Sequence, residues 1–582
     1  MNNNKDNIQP SEEQLKIFDF IKNGIGHCVI QARAGTGKTW TILKCLDYIK
    51  DNQICLYLAF NHSIKLEIKS KINDKHDVFT LHGLGREILK QNNIIINKDN
   101  EKYKKYLIEN IDSLSNIKVP KNLQQSYFRR ILDLLEFARM DLCYNLTKID
   151  QSAKYHDIPL KFDEIEIVKK LMDWGQNEIY TQDYTDWVWL PNVLNLQPKF
   201  KYQWIFNDEA QDYSIAYVSL LKKYLKNGVR FVSVGDEYQS INHFAGASKK
   251  AFEEMIKLSN NNIFTLTKSF RCAKSIIELS NEIVPDIVPR DNAPLGLIKY
   301  GSLVHEINET DMVLSRTNAP LLSIYNKLTK LNKKCYLKGS NKDKDKDIFI
   351  NIIEKYHNNN NSLSKNLETD GLFPRLYEEL INRRNQLLLS GINEKKILKD
   401  NYFSSFYDKI LSLLTISEDC ETVDNLINKI NEIYQSEEKG VCLSTIHKAK
   451  GLECDIVHIM NFDELGTKFV HNEIDREQEK NLKYVAITRA KKKLCLISEK
   501  EYPNFISSTI NQEIEKINQI EEIICKLFNK KLFDKSKIVS FDYTPINEFK
   551  TIHDNDNVKK ITISKPKNLS NNKNSLFKKR GT

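Results

Sequence analysis

A run of small residues that ends in a lysine and a threonine could perform phosphate chemistry on this chain. The loop consists of Ala32, Arg33, Ala34, Gly35, Thr36, Gly37, Lys38 and Thr39. Gly35 and Gly37 allow backbone N–H groups to wrap a β-phosphate. Lys38 can reach the β- and γ-oxygens, and Thr39 can hold Mg²⁺. Ala32 stands where the usual pattern has its first glycine. Taken alone, the loop is consistent with any phosphate-loop nucleotide-binding protein.

Two adjacent carboxylates, Asp208 and Glu209, follow the apolar residues 204–206. A strand there would place both at its carboxyl end, beside the phosphate loop. Asp208 suits the metal, and Glu209 suits a base that orients water toward the γ-phosphate. An acidic helix N-terminus is the other interpretation of this pair. Far downstream, Arg489 can supply a cation to the same phosphate from a separate domain, so hydrolysis could open and close a cleft.

Short apolar runs predict the elements that position these residues. The first run, at 27–32, ends at the phosphate loop, and helical spacing follows over 40–49. Similar runs lie at 54–60, 204–206, 229–234 and 264–266, and a second series lies at 311–315, 441–444, 455–460 and 494–497. A polar or helical stretch follows each run, which is typical of parallel strands covered by helices. We therefore predict an α/β fold with two parallel-sheet domains.

The regions outside these two series are strand-poor and predict helical insertions. The second insertion begins with alternating charges at 342–347, which we interpret as a solvated loop. A predicted helix at 512–530 precedes a tail rich in Asn, Lys and Ser that we expect to be disordered. The predicted domains are a first core domain at 1–90 and 196–285, an insertion at 91–195, a second core domain at 286–342 and 438–505, an insertion at 343–437, and a terminal region at 506–582.

Charge and cysteine content bound the class of protein. The net charge of the 582 residues is +10, but residues 551–582 alone carry eight basic and two acidic residues. A nucleic-acid path must therefore be a local groove. Without an apolar leader or an apolar run of about 18 residues, we expect a soluble intracellular protein with no membrane contact, in nucleus, cytoplasm or viral factory. Eleven cysteines without metal-site spacing predict reduced thiols.

The ordered motifs resemble superfamily 1 helicases of the UvrD/Rep type over most of residues 8–497. Further segments similar to the family's motifs lie at 10–14, 58–61, 79–83, 234–247, 266–271, 314–319 and 445–453. The residues of several motifs are most similar to those of the F-box DNA helicase subgroup, although no room remains before Gln14 for an F-box. Asn242 and Ala245 stand where many members have Tyr and Arg, which removes a ring and a guanidinium from the expected strand path. The resemblance implies two RecA-like core domains.

The resemblance also implies roles for individual residues. Gln14 would read adenine, Phe270 would stack on it, and Glu453 would contact the ribose. The implied catalytic set is Lys38, Asp208, Glu209, Gln239, Arg271 and Arg489. The implied contacts with a nucleic-acid strand are Phe60, Asn61, Thr80, His82, Phe244, Thr445 and His447. Gln239 would couple the nucleotide to the strand through Phe244.

We therefore expect an ATP-dependent DNA helicase or single-strand translocase that requires ATP and Mg²⁺ and, by resemblance, moves 3′ to 5′ in repair, recombination or replication. Its expected partners are single-stranded DNA and tailed duplex DNA. An RNA track stays open, because nothing in these motifs decisively senses a 2′-hydroxyl. A helicase-derived binding scaffold without unwinding is the other alternative, although a scaffold has no need of the complete catalytic set. A nuclease fusion is not expected, since the region after 506 is too short and too polar.

Overall fold

The computed structural model describes residues 9–498 except 119–120, 157, 159, 161–162, 200, 226–227, 243–245, 303, 340–341, 358–360, 365–369, 390–396, 398–399, 468–469 and 471–472. The predicted helix at 512–530, the basic tail and the candidate strand contact Phe244 lie outside the described residues. Within the described part of the chain, no helix has both the length and the apolar character needed to cross a lipid bilayer.

The first sheet has six strands, all paired in parallel. They are β1 (Cys28–Ala32), β2 (Cys55–Ala59), β3 (Asp77–Thr80), β4 (Trp204–Asn207), β5 (Arg230–Gly235) and β6 (Ile263–Leu266), in the order β3-β2-β4-β5-β1-β6. The central strands are nearly continuous buried runs, as expected when helices cover both faces. The phosphate loop follows β1 and the carboxylate pair follows β4, so both lie at the carboxyl edge of the sheet.

The second sheet also has six parallel strands. A two-stranded parallel pair, β7 (Lys268–Ser269) with β8 (Val288–Pro289), precedes it in the chain. The six strands are β9 (Leu297–Tyr300), β10 (Met312–Ser315), β11 (Cys335–Leu337), β12 (Val441–Thr445), β13 (Cys454–Ile459) and β14 (Ala490–Leu496), in the order β11-β12-β10-β13-β14-β9. We refer to the two sheets with their flanking helices as the first and second core domains.

Helices flank both sheets and form the insertions. In the first core domain they are Glu12–Asn23, Lys38–Cys45, His62–Lys69, Leu81–Gln91, Ile215–Leu225 and Lys249–Leu258. Beside the second sheet they are Lys274–Ser280, Ala319–Lys330 and Glu473–Ile487. The first insertion contains Lys102–Leu114, Lys121–Met140, Leu146–Tyr155, Glu164–Asn177 and Asp186–Val193, and the second contains Lys342–Tyr356, Leu372–Leu389, Asn401–Ile416 and Val423–Gln435. The predicted α/β class with two helical insertions is confirmed.

Besides the short pair β7 and β8, three strands of the six-stranded sheets were not predicted, and each lies at an edge of its sheet: β3, β9 and β11. Edge strands bury less of their surface, and β9 has two exposed residues among its four. The apolar runs that identify central strands are therefore weak there.

The prediction of a solvated loop at 342–347 is wrong. These residues begin the helix Lys342–Tyr356. Phe349 and Ile353, one helical turn apart, are buried and provide the apolar stripe that holds the helix. Asp345 is paired with Lys448 at 2.6 Å, so the charged turn faces the second core domain as well as solvent.

The segment that joins the two sheets, 267–296, packs largely on the second core domain. Ile276 and Ile277, in the helix Lys274–Ser280, belong to the same apolar cluster as Leu314 and Leu494 of the second sheet. The backbone N–H of Ala273 also donates to the carbonyl of Lys491. Contacts of this segment with the phosphate loop therefore join the two core domains.

Candidate nucleotide and nucleic-acid site

The phosphate loop has a conformation that requires glycine at two positions. Gly35 and Gly37 have φ of 73° and 81°, in the left-handed region. A Cβ atom on Gly35 would lie 2.6 Å from Cβ of Arg271 and 2.7 Å from Oγ of Ser269. The loop leads directly into the helix Lys38–Cys45. The N-terminus of such a helix favours a phosphate group, because its first N–H groups lack intrahelical partners.

Lys38 begins that helix, and its Nζ is buried without a hydrogen-bond partner among the described residues. Its charge acts to lower the pKa values of three nearby carboxyl groups, Asp208, Glu209 and Asp236. A buried ammonium without acceptors is costly, and phosphate oxygens would supply them. This geometry fits a nucleoside triphosphate at the loop.

Asp208 lies beside the helix that follows the phosphate loop. Its Oδ2 accepts hydrogen bonds from Thr39 Oγ1 at 3.2 Å and from the hydroxyl of Tyr57 at 3.0 Å. Burial and the neighbouring Glu209 raise the pKa of Asp208 to about 6. Both effects disfavour its negative charge, and a cation bound beside it would stabilise the ionised carboxylate.

Thr39 and Asp208 are the residues that would hold Mg²⁺. No cluster of three His, Cys, Asp or Glu side chains suited to a metal occurs among the residues that the structure describes. Mg²⁺ does not need one, since it usually binds one or two carboxylates together with substrate phosphates and water. The pair of oxygens therefore fits Mg²⁺ that is shared with a nucleotide.

Glu209 has the opposite electrostatic character from its neighbour. Burial opposes its charge, but Lys38, Lys450 and Arg489 outweigh burial, and the pKa of Glu209 is lowered to about 2. Gln211 Nε2 also donates to its carboxylate at 2.5 Å. Its φ of 53° is left-handed, which is uncommon outside glycine and is typical of residues that a site holds in place. Glu209 is thus ionised, as a base that orients water must be.

Gln14 and Phe270, the predicted adenine contacts, both lie beside the phosphate loop. Gln14 is buried, and its amide donates to Thr41 Oγ1 and accepts from the backbone N–H of Ser11, both at 2.9 Å. Phe270 is 38% exposed, and its backbone N–H donates to the carbonyl of Gly35. Recognition of adenine by these side chains stays a prediction.

Gln239 lies in a hydrogen-bonded chain that leads back to the carboxylate pair. Its Nε2 donates to Asp236 at 2.6 Å, and the backbone N–H of Asp236 donates to Gln211 Oε1 at 2.9 Å. Gln211 in turn contacts Glu209. The predicted coupling of Gln239 to Phe244 lies outside the described residues.

Arg271 and Glu453 form an ion pair in the structure. Arg271 Nε donates to Glu453 Oε2 at 2.7 Å, and Lys491 contacts the other carboxylate oxygen at 2.6 Å. Arg271 also donates to the carbonyl of Thr488 at 3.2 Å. The predicted arginine finger and the predicted ribose contact are therefore adjacent.

Arg489 is almost completely buried at the start of β14. Its guanidinium donates to the carbonyls of Val485 at 2.9 Å and Leu452 at 3.0 Å. Burial and the nearby Arg271 lower its pKa to about 9. Two guanidinium groups repel each other, so an anion between them would be favoured.

Lys450 extends from the second core domain onto the carboxylates of the first. Its Nζ donates to a carboxylate oxygen of Asp212 and, at 2.9 Å, to the backbone carbonyl of Gln239. It lies 3.6 Å from Glu209 Oε2 and 5.7 Å from the ring centroid of Phe60. This one ammonium therefore contacts Glu209, the Gln239 segment and a candidate strand contact.

Three candidate strand contacts lie at the carboxyl ends of β2 and β3. Phe60 is 37% exposed beside Lys450. The side chains of Asn61 and Thr80 accept from backbone N–H groups at the starts of the helices His62–Lys69 and Leu81–Gln91. Capping uses the side-chain oxygen of each, so these two residues have a local structural role at this edge.

The two candidate histidines are neutral in the fold. Burial lowers the pKa of His82 to about 3, and its ring stacks on Tyr184 at 3.7 Å. Burial and the charge of Arg316 lower the pKa of His447 to about 3. Thr445, two residues earlier, ends β12 and is also buried. A strand would meet uncharged imidazoles at both positions.

Comparison with known proteins identifies the family. The UvrD/REP helicase N-terminal domain matches residues 12–260, and the UvrD-like helicase C-terminal domain matches residues 440–497. These matches include the phosphate loop, the carboxylate pair and Arg489. The chain belongs to the UvrD-like DNA helicases of superfamily 1. It is an ATP-hydrolysing enzyme, and the family predicted from its motifs is confirmed.

Similarity to individual helicases extends over most of the chain. A probable DNA helicase II homolog of Mycoplasma pneumoniae is 24% identical, and the match covers 93% of this chain and 92% of that protein. The ATP-dependent DNA helicase PcrA of Bacillus subtilis is 23% identical, with 88% and 86% covered. F-box DNA helicase protein 1 of Schizosaccharomyces pombe is 26% identical, with 84% of this chain and 57% of that protein covered.

In this UvrD-like helicase, the sequence predicted no role for Lys450, although the segment 445–453 that contains it resembles a family motif. From the sequence, Lys448 and Lys450 are equally plausible contacts for the carboxylates of the first core domain. In the structure, Lys448 pairs instead with Asp345 of the second insertion. Only the packing of the two core domains distinguishes them.

Two tyrosines at the cleft were also missed. Tyr57 donates to Asp208, and the hydroxyl of Tyr484 accepts from the backbone N–H of Ala34 at 2.9 Å. Tyr484 comes from the second core domain and is fully buried. A tyrosine next to apolar residues is usually part of a core, so no sequence signal marks the hydroxyl of Tyr57 or Tyr484.

Proposed function

We propose that this UvrD-like helicase is a 3′ to 5′ translocase on single-stranded DNA that uses Mg²⁺ and ATP to unwind tailed duplexes. The observation that carries the proposal is the ion pair of Lys450, from the second core domain, with Glu209 of the first, whose negative charge Arg489 of the second core domain also stabilises. A base whose charge is stabilised from both domains ties hydrolysis to domain closure. Cyclic closure is what a motor on a single strand requires.

On the nucleotide side, the phosphate loop holds the β- and γ-phosphates and Lys38 compensates their charge. Thr39 and Asp208 hold Mg²⁺, which when bound neutralises phosphate charge. Glu209 orients the attacking water. Arg489 stabilises the charge that develops on the transferred phosphoryl group.

The remaining nucleotide contacts act on the base, the sugar and the coupling between sites. Gln14 and Phe270 recognise adenine, and Glu453 contacts the ribose. Arg271 is a second arginine at the γ-phosphate. Gln239 reports the nucleotide state to the strand, and its carbonyl contact with Lys450 supports a link to the second core domain.

On the strand side, an aromatic ring and several polar groups follow the carboxyl edges of both sheets. The proposed contacts are Phe60, Asn61, Thr80, His82, Phe244, Thr445 and His447. Stacking on Phe60 would be independent of sequence, since every base has a π-face. Such a site suits a helicase that works in repair, recombination or replication on varied sequences.

Strand displacement with tailed duplexes tests this proposal. Three duplexes of equal length carry a 3′ single-stranded tail, a 5′ tail or no tail, and each is tested with ATP and Mg²⁺. We expect displacement of the 3′-tailed duplex alone. Glu209→Gln is the matched control, because it keeps the size of the side chain and removes the base.

The other outcomes identify the alternatives. Displacement from the 5′ tail would reverse the polarity. Displacement only when the tracking strand is RNA would make RNA the track. A protein that binds a strand but neither displaces any of the duplexes nor hydrolyses ATP would be a binding scaffold.

A further inference from the structure

The side chain of Arg33 leaves the phosphate loop and enters a cluster of acidic groups. It is almost completely buried, and its Nε and NH2 atoms donate to the two carboxylate oxygens of Asp286, each at 2.8 Å. This is the paired geometry in which a guanidinium fork matches a carboxylate. The phosphate loop therefore has a directed contact that does not point to the phosphate.

Asp286 belongs to the segment that packs on the second core domain. Val284 and Ile287, on either side of it, are buried in the apolar cluster that contains Leu314 of the second sheet. The next loop residue, Ala34, donates through its backbone N–H to Tyr484 of the second core domain. Two consecutive residues of the phosphate loop are thus attached to the second core domain.

The other face of the Arg33 guanidinium lies against the start of the Gln239 segment. Its NH1 lies 3.6 Å from Asp236 Oδ1 and 3.8 Å from Glu237 Oε1. Its central carbon lies 4.8 Å from the ring centroid of Tyr238, which suits a cation–π contact. Because Asp236 accepts from Gln239, the guanidinium connects the phosphate loop with the residue that senses the γ-phosphate.

We propose that Arg33 is a positioning residue that couples the phosphate loop to closure of the two core domains through Asp286 and to the Gln239 segment through Asp236 and Tyr238. The inference rests on the proposed function and adds a contact that the phosphate-loop pattern does not require, since the pattern accepts any residue at this position. Because the residues beside Asp286 pack with the second core domain, the contact would depend on the approach of the two domains. The contact between Arg33 and Asp286 should therefore affect kcat and not the initial binding of ATP.

Arginine is needed here for its shape as well as its charge. A lysine ammonium could approach Asp286 or Tyr238, but it lacks the planar fork that contacts both carboxylate oxygens while its face lies on a ring. Arg33→Lys thus keeps the charge and removes the geometry. Asp286→Asn removes the partner charge at a half-exposed position, and thermal unfolding measures what the loss of this charge beside the buried Arg33 costs in stability.

The test measures kcat and KM for ATP with saturating single-stranded DNA, together with thermal unfolding, for Arg33→Lys, Asp286→Asn and the double variant. Arg230→Lys is the matched control. Arg230 lies over the Trp204 ring at 4.1 Å and donates to backbone carbonyls within the first core domain. We expect each single variant to lower kcat roughly tenfold, because small misplacements of reacting groups are costly. KM should change by less than about twofold, since ground-state binding is retained.

The double variant should lose no more activity than either single variant, because the two substitutions remove the same contact between Arg33 and Asp286. The inference is wrong if kcat stays near wild type in Asp286→Asn, if the two losses multiply, or if KM rises in step with the fall in kcat. Wild-type stimulation by DNA, measured beside the variants, separates this result from the proposed function. If wild type is not stimulated, the proposed function fails and the inference fails with it.

Discussion

The two sides of the cleft present buried cations of opposite character. On the first side, Lys38 Nζ has no hydrogen-bond partner in the described part of the chain. On the second side, Arg489 is buried and Lys450 has a side chain that is 10% exposed, and both donate to protein oxygens, Lys450 across the domain boundary. The first side is suited to an anion that the protein does not supply. The second side is arranged by the contact between domains, so its cations can depend on closure.

The pKa values of two charged groups in the cleft support this difference between its two sides. Glu209 has a pKa lowered to about 2 because cations from both sides outweigh its burial. Arg489 has a pKa lowered to about 9 by burial and by Arg271. Glu209 is therefore stabilised in its charged form, whereas the charge of Arg489 is not fully compensated by the protein. A developing negative charge on a phosphate would compensate it, which favours the transition state over the ground state.

The largest effect is expected from Arg489→Ala. An arginine finger contributes about 10³- to 10⁵-fold to the rate of phosphoryl transfer, so turnover should collapse. Nucleotide affinity should stay nearly intact, because the phosphate loop belongs to the other domain. A fluorescent-nucleotide titration beside a steady-state ATPase assay measures both quantities. Arg476→Ala, an exposed arginine in the helix Glu473–Ile487 that pairs with Glu473, is the control. Equal losses of affinity and turnover would place Arg489 in a ground-state contact.

Lys38→Ala should have the next largest effect. Loss of a preorganised cation at the γ-phosphate is expected to lower kcat by about 10²-fold or more, and nucleotide affinity should fall as well. Lys44→Ala, in the same helix but exposed and paired with Asp47, should behave as wild type. A variant at position 38 that retained more than about a tenth of the wild-type rate would contradict the assignment. The contrast with Arg489 is sharp, because only the first-side cation should affect binding.

The sequence predicts the functional residues on the first side of the cleft better than those on the second side. The loop at 32–39 and the pair Asp208 and Glu209 are contiguous, so their chemistry is visible from spacing alone. The role of Lys450 and the direction of Arg33 depend on which surfaces the two domains bring together. Neither apolar periodicity nor motif order contains that information. The helix at Lys342–Tyr356 was misassigned for a related reason, since tertiary packing of Phe349 and Ile353 outweighs the charge run that precedes them.

Lys450→Met should reduce turnover by roughly tenfold to a hundredfold, less than loss of the arginine finger. It removes one of the cations that stabilise ionised Glu209, and it leaves Asp212 buried without its ion pair, which also destabilises the fold. Adding Asp212→Asn separates the two effects. The double variant should recover thermal stability without recovering kcat. Lys448→Met, which loses only the contact with Asp345, is the control. Recovery of kcat together with stability would make Lys450 purely structural.

The smallest effect is expected from Phe60→Ala, which tests whether the strand lies beside Lys450. Phe60 follows β2, is 37% exposed and has the Lys450 ammonium 5.7 Å from its ring. Loss of one stacked base costs about 1 to 3 kcal/mol, so the affinity for a labelled single-stranded oligonucleotide should fall by about 5- to 150-fold. Phe60→Leu keeps the apolar character without the aromatic face and should fall nearly as far. Tyr300→Ala, an exposed aromatic on the edge strand β9, is the control and should bind as wild type.

A salt series distinguishes stacking by Phe60 from an indirect electrostatic effect. Stacking displaces no counterions, so the slope of log affinity against log salt should be the same for Phe60→Ala and wild type. A shallower slope would mean that the ring acts by placing the Lys450 charge near a phosphate. Unchanged affinity would remove Phe60 from the strand path. The second-side lysine would then contact the base and the Gln239 segment without also meeting the strand.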